Sequence, residues 1–183
     1  MNVLYIGVDN PLSVSAPGTP ADKIKVSMSG GSLSGSNGKY VARVSSAGTA
    51  RISVAAEVAP GKMQTLSSTD FRVKRIPDPI AKFGGKSGGT MPSVALKAQN
   101  AVFASLDNFD FDAKFNITKF TMIIAKPRAD AIVLSTAGNS LSGAMKTALS
   151  GIGPGTRVIF DNIIAVGPDG SPRQLNAVAL SAN

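Results

Sequence analysis

The sequence predicts an all-β protein of two tandem immunoglobulin-like β-sandwich modules, the second with one or two short helices. In the first half, apolar and polar residues alternate over several short runs, as they do when a strand buries one face. The 19 glycines and 11 prolines are scattered between apolar runs, where turns are needed. Hydrophobic residues make up 43% of the 183-residue chain, which is enough for two cores.

The first half reads as roughly seven short strands, the number in an immunoglobulin-like sandwich. Residues 24–28, 52–58 and 71–73 show the period of two clearly. Turn signals such as Asn37-Gly38 and Pro60-Gly61 separate the runs. The chain opens on a strand-like segment and no signal peptide precedes it, so we expect it to be part of a larger protein.

The module boundary is predicted near residue 77, which gives a first module over 1–77 and a second over 78–183. Pro77 and Pro79 lie too close together for a central strand, because each removes a donor from the ladder. The glycine-rich stretch 84–89 follows as a second break.

The second half is less regular than the first. Its predicted strands and helices follow from local periodicity and turn residues. The strands are placed at 101–106, 109–124 and 131–134, a terminal hairpin at 157–166 and 175–180, and short helices at 91–99 and 141–149. Within 109–124 the apolar parity changes between Ile117 and Phe120, which predicts a β-bulge or bend near Lys119.

Composition narrows the function. The chain has no His and no Cys, so imidazole bases, thiol nucleophiles and the usual zinc sites are ruled out. We therefore predict no enzyme, no catalytic residue, no metal, no cofactor and no small-molecule substrate. The net charge of +8 fits an acidic partner, whereas the 5% of aromatic residues argues against nucleic acid.

Two motifs suggest ligand sites. The stretch from Gly84 to Ser87 resembles the end of a phosphate-binding loop, but Ile80 stands where that motif needs a glycine, which favours a flexible turn. The acidic cluster Asp107–Asp112 could suit calcium, although it lacks the glycine turn and bidentate Glu of such loops. The alternative is a solvated acidic face, and the sequence leaves this choice open.

The candidate partner-binding residues are Arg72, Lys74, Arg75, Phe109 and Phe111. The three basic residues form the densest basic group in the chain. They are interpreted either as charges that protect an edge strand from aggregation or as a docking stripe for an acidic partner.

Several stretches, taken in order, resemble the C-terminal domains of the GldM/PorM family, and the resemblance covers nearly the whole chain. The most specific stretch is Leu-Asp-Asn-Phe-Asp-Phe-Asp at 106–112. The others are Val3 to Pro11, Phe71 to Pro79, Gly155 to Ile163 and Gly167 to Gly170.

This resemblance implies a role in the type IX secretion and gliding machinery of Bacteroidetes. Members are anchored in the inner membrane, associate there with a GldL/PorL-type partner, and extend a dimeric periplasmic part towards the GldK/GldN (PorK/PorN) ring. We therefore expect a periplasmic protein-binding fragment, a homodimer, that meets the GldL/PorL-type partner only through a region outside this chain. The alternative is a carbohydrate- or surface-binding adhesin module.

Overall fold

The computed structural model describes residues 2–183, which form two compact units rich in strands. Of the described residues, the first unit comprises 2–76 and Asp110–Ala113, and the second comprises Pro77–Phe109 and Lys114–Asn183. Each unit has its own hydrophobic core. The predicted all-β class with immunoglobulin-like modules is confirmed.

The first unit contains seven strands, namely β1 (Val3–Tyr5), β2 (Asn10–Ser13), β3 (Ile24–Ser29), β4 (Ser32–Ser36), β5 (Lys39–Arg43), β6 (Gly48–Ala59) and β7 (Lys62–Lys74). They form a four-stranded sheet of order β1-β7-β6-β3 and a three-stranded sheet of order β2-β5-β4. β1 runs parallel to β7, and every other neighbouring pair is antiparallel. The predicted period-two runs lie in β3, β6 and β7, where their apolar residues are buried or half-buried except Val58, which is exposed.

A buried asparagine ties strands of the first unit together. Asn10 is 2% exposed, and its amide nitrogen donates to the carbonyl oxygens of Tyr5, Val8 and Ala42 at 3.0–3.2 Å. Its side-chain oxygen accepts the Tyr5 backbone N–H at 2.7 Å. The side chain thus bridges β1, in the four-stranded sheet, and β2 and β5, in the three-stranded sheet. Because both ends of the amide are bonded, the buried polar group is compensated.

The second unit contains β8 (Ile80–Phe83), β9 (Gly88–Met91), α1 (Ser93–Ala98), β10 (Val102–Ser105), β11 (Asn116–Ala125), β12 (Ile132–Ala137), α2 (Gly143–Ser150), β13 (Arg157–Val166), β14 (Pro172–Gln174) and β15 (Val178–Ala182). Its main sheet has the order β12-β11-β13-β15-β9, and β14 also pairs with β13. β8 and β10 form a second, two-stranded sheet. The centroids of the Phe83 and Phe160 rings lie 4.2 Å apart, so the two rings pack the two sheets together in the core.

A nearly buried ion pair holds the β13–β14 hairpin. Arg173 on β14 donates to Asp169 at 2.9 Å and to Asp78 at 2.8 Å, and its guanidinium lies 5.0 Å from the centre of the Phe115 ring. The side chains of Asp169 and Arg173 are only 5% and 8% exposed. Burial raises the pKa of Asp169, but hydrogen bonds from Arg173 and Ser171 outweigh that effect and leave the pKa below its ordinary value.

The structure confirms the predicted irregularity in the long strand. β11 pairs with β13 with register shifts on both sides of Lys119, and the buried face changes parity between Ile117 and Phe120. The prediction of a strand over 109–124 is wrong at its start, because β11 begins at Asn116. Asn108 has a left-handed φ of 58°, a conformation of turns that interrupts a strand.

Two further boundaries differ from the sequence prediction. The predicted terminal hairpin paired 157–166 directly with 175–180. In the structure β13 forms its hairpin with the short β14, and β15 pairs with the first residues of β13. The glycine stretch 84–89 lies inside the second unit. Gly84 and Gly85, with φ values of 58° and 79°, form a tight turn between Phe83 at the end of β8 and Lys86. A turn with both central φ values positive requires glycine-like residues.

We predict that Asn10→Asp destabilises the first unit. The carboxylate cannot donate to the three carbonyl oxygens that now bond the amide, and it buries a charge, so the free energy of unfolding should fall by about 3 kcal/mol or more. Chemical denaturation followed by hydrogen exchange of first-unit amides measures this. Asn2→Asp, which adds the same charge at an exposed position, should change little; equal effects of the two variants would contradict the role of the Asn10 amide.

We also predict that Asp169 makes the second unit sensitive to acid. Because the folded-state pKa of Asp169 lies below its unfolded value, about 3.9, its stabilisation is present above that pH and is lost as the pH falls through the folded pKa. Asp169→Asn should lower the free energy of unfolding by about 1–3 kcal/mol at pH 7 and by progressively less in acid.

Hydrogen exchange of β13 amides between pH 7 and pH 3 tests this prediction. Asp130→Asn removes an exposed carboxylate of the same unit and should leave the pH profile unchanged. A stability difference between Asp169→Asn and the parent chain that stayed constant with pH would rule out the titration of Asp169 as its source.

Candidate docking surface

Arg72 and Lys74 lie on the outward side of β7. Both side chains are exposed, whereas Val73 between them is 5% exposed and packs in the core of the first unit. Arg72 is in register with Val3 of β1 and with Thr49 of β6. The interpretation as a protected edge strand is therefore wrong at Arg72, where β7 has a neighbour on each side, whereas Lys74 is paired with β1 alone.

The other three predicted residues are placed differently. Arg75 follows the last residue of β7 and is exposed. Phe111 belongs to the first unit, where its ring lies 5.1 Å from the Tyr5 ring in an edge-on arrangement. Because Tyr5 is the register partner of Lys74, Phe111 comes close to the basic pair on β7. Phe109 belongs to the second unit and is half-buried.

The carboxylate that β7 itself contributes to this face, Asp70, is already paired. Arg51 on β6 makes two hydrogen bonds to Asp70 on β7, at 2.6 and 3.1 Å, and this hydrogen bonding lowers the pKa of Asp70. In the part of the chain that the structure describes, no carboxylate lies within ion-pair distance of Arg72 or Lys74. Their positive charges are therefore available to a partner.

Hydroxyl groups occupy much of the remaining face. Ser53 and Ser68 share a hydrogen bond of 3.2 Å across β6 and β7, and Thr49 stands beside Arg72. Because these hydroxyl side chains are short, the longer side chains of Arg72 and Lys74 extend beyond them from a polar surface. Such a surface suits the docking of another protein by charge and shape.

The geometry offers little for catalysis. A cleft of about 570 Å³ in the first unit contains Asp9 as its one acidic lining residue. Arg43 donates a 2.6 Å hydrogen bond to Asp9 and thereby lowers the pKa of that carboxyl, the opposite of what a general acid needs. Within residues 2–183, no three His, Cys, Asp or Glu side chains are grouped to hold a metal ion.

The predicted acidic cluster is divided. Asp107 belongs to the second unit, where Lys82 donates to both of its oxygens at 3.0 Å and Ser105 donates at 2.9 Å. Asp110 and Asp112 belong to the first unit and are exposed. None of the helices in the described chain is long and apolar enough to cross a membrane.

One exposed feature of the first unit is absent from the sequence prediction. Residues 57–68, the distal parts of β6 and β7 and the turn between them, are all exposed, and we call them the hairpin arm. The arm carries three exposed apolar residues, namely Val58, Met63 and Leu66. The polar run from Gln64 to Asp70, which has Leu66 as its one apolar residue, is the signal in the sequence that could have identified it.

Comparison with known proteins identifies families for both halves of the chain. The model of the GldM third domain matches residues 1–74, and the model of the GldM C-terminal domain matches residues 77–183. No curated protein matches the chain.

Solved structures match more weakly. The fibronectin(III)-like modules of Clostridium thermocellum CbhA are 15% identical over 100% of this chain and 89% of that chain, with a TM-score of 0.31. SGBP-B of the Bacteroides ovatus mixed-linkage glucan utilization locus, in complex with a mixed-linkage heptasaccharide, is 12% identical over 99% of this chain and 43% of that chain, with a TM-score of 0.29. Scores this low support no conclusion about this chain.

The two family models together leave only residues 75 and 76 unmatched, and they follow one another in the expected order. The resemblance predicted from the sequence is thereby confirmed. The chain belongs to the GldM family of gliding and type IX secretion components, of which it comprises the third and C-terminal domains.

Proposed function

We propose that this chain is a periplasmic, protein-binding portion of a motor subunit, and that it couples the inner-membrane motor to the lipoprotein ring at the outer membrane. The observation that carries the proposal is the exposed pair Arg72 and Lys74, whose charges no carboxylate of the described chain neutralises. Arg72 is paired with β1 and with β6, and Lys74 is paired with β1.

Docking would act through complementary charge. Arg72 and Lys74 lie two residues apart on one side of a strand, so their side chains project in the same direction. An acidic patch on the partner would be drawn towards them over about one Debye length, roughly 8 Å at physiological salt. The nearby aromatic pair of Tyr5 and Phe111 would supply apolar contact once the surfaces meet.

We base the proposed partners of this surface on the family to which the chain belongs. We assign the docking to GldK/GldN (PorK/PorN)-type ring proteins, and contact with a GldL/PorL-type protein to a region of the subunit outside this chain. We further propose that the chain works as a homodimer and binds neither nucleic acid nor a small-molecule substrate.

The alternative function, a carbohydrate-binding adhesin module, would require exposed aromatic side chains. Sugar-binding modules present aromatic rings on which pyranose faces pack. Of the large hydrophobic residues exposed in the described chain, Phe103, at 57%, is the one aromatic residue. A glycan-binding screen with the chain separates the two functions, and we expect it to be negative.

We predict that the double substitution Arg72→Glu and Lys74→Glu weakens capture of a purified GldK/GldN-type complex by tenfold or more. It reverses the charge that steers the partner and places like charges opposite each other. The matched control reverses two exposed lysines of the second unit, Lys97→Glu and Lys146→Glu, and so changes the net charge equally.

Capture by the parent chain should also weaken between 50 and 500 mM salt, and the double variant should lose most of that dependence. Equal losses in both charge-reversed proteins would mean that net charge, and not this surface, governs binding. Capture that did not change with salt or with either pair of substitutions would contradict the proposal.

A further inference from the structure

The main sheet of the second unit buries only one of its faces. Along β11, β13 and β15, core residues alternate with residues that are exposed or half-buried, as the two sides of a strand require. The core set, each residue at most 1% exposed, comprises Met122, Ile124, Val158, Phe160, Val178 and Leu180. We call the opposite side of this five-stranded sheet the outer face.

An uncharged row of residues crosses the outer face from one edge strand to the other. Register pairs join Val133, Ile123, Ile159, Ala179 and Gly88 in that order, one residue from each strand. Val133 is 59% exposed and Ala179 is also exposed, while Ile123 and Ile159 are half-buried. Apolar side chains in line across a sheet form a surface on which a second sheet can pack.

The rows on either side of this uncharged row carry one charge each. The first consists of Ala125, Arg157, Ser181 and Thr90. The second contains Ser135, Thr121 and Asp161. Because Ile159 lies midway between Arg157 and Asp161 on β13, the two opposite charges stand at equal distances from the uncharged row.

Arg157 and Asp161 form no ion pair in the part of the chain that the structure describes. Arg157 is exposed, and Asp161 is half-buried and accepts the backbone N–H of Asn162 at 2.7 Å. Four residues of strand, about 13 Å, separate the two, so they do not pair with each other. Both charges are therefore available to groups outside the chain.

This arrangement matches itself after a half-turn. A second copy can pack its outer face on the first with a two-fold axis along the uncharged row, which reverses the strand direction. Ile159 then meets Ile159 of the other copy, and Arg157 meets Asp161 of the other copy, once on each side of the axis. Two-fold interfaces use the same patch on both copies in this way.

The distribution of charge favours a second copy over a partner of one sign. A purely acidic or purely basic surface would be attracted by one of the two charged residues and repelled by the other. Lys119 pairs with Ala137 and Ile164, which places it one row further out, at the rim of the face. Its charge therefore lies outside the self-matching part.

We infer that the outer face binds a second copy of this chain face to face, with the uncharged row at the centre and an Arg157–Asp161 pair on each side. The inference goes beyond docking to the ring proteins and gives the proposed homodimer a surface. Strands about 4.8 Å apart and rows about 7 Å apart give a footprint on the order of 500 Å² per copy. Interfaces of this size are weak, so dimerisation should need a high chain concentration.

Exchange of the two charges tests the inference, with sedimentation velocity over a range of chain concentrations as the measurement. Arg157→Asp should weaken dimerisation by about tenfold or more, because two carboxylates then face each other on each side. Adding Asp161→Arg to it should restore dimerisation to near the parent value, since opposite charges meet again. Lys146→Asp makes the same change of charge on α2 and should dimerise like the parent chain.

Two exposed valines keep the test available if Asp161→Arg disturbs the strand. Val133→Lys places two lysines against each other on the two-fold axis and should weaken dimerisation by about tenfold or more. Val94→Lys makes the same change on α1, where Val94 is 77% exposed, and should have no effect. The chain has no Cys, so Ile159→Cys gives a single thiol that a short bismaleimide should link into a covalent dimer, whereas Val94→Cys should remain monomeric.

Three outcomes overturn the inference. They are a parent chain that stays monomeric at every concentration; equal dimerisation by the parent chain, Arg157→Asp and Val133→Lys; and a charge-exchanged double variant that is folded yet monomeric. The second outcome would leave the homodimer standing with its interface elsewhere.

Capture of the ring complex separates this inference from the proposed docking. Arg157→Asp leaves Arg72 and Lys74 intact, so it should capture the complex normally even where it no longer dimerises. Loss of capture in Val133→Lys, with a parent chain that is monomeric alone, would make a ring protein the occupant of the outer face and overturn the inference.

Discussion

Backbone hydrogen bonding along β7 is the constraint on which the outer face of the first unit depends. Each strand must satisfy its N–H and C=O groups with neighbouring strands or with water. β6 does this for one side of β7, while β1 covers only three residues of the other side. At Arg72 both sides of β7 are paired, so the backbone is fixed there while the side chain stays exposed.

Local patterns allowed much of the architecture to be predicted. Period-two alternation identified β3, β6 and β7, because the direction of each side chain depends only on its place in the strand. The same reasoning located the irregularity at Lys119, where the buried parity changes. Strand partners cannot be derived in this way. The parallel pairing of β1 with β7 joins distant parts of the chain, and the edge-strand interpretation of Arg72 was wrong for that reason.

The docking surface was predictable only in part. Arg72 and Lys74 were found because closely spaced charges are visible in the sequence, and alternation placed them on one side. Phe111 was expected on a strand, because Phe and Asp alternate over 109–112. Its actual contact with Tyr5 depends on tertiary packing that alternation does not encode. The exposed hairpin arm was missed because exposure there depends on where β3 meets β6, at the Ile24–Ala56 pair, beyond which β6 lacks that neighbour.

The exposed charges would contribute more to encounter than to affinity. An exposed ion pair is worth only about 0–1 kcal/mol, so Arg72 and Lys74 alone would give a weak complex. Their main effect would be on the rate and orientation of encounter, which exposed charges control. A long-lived complex would therefore need further contacts, which Tyr5 beside Lys74 and the Phe111 ring packed against it would begin to supply.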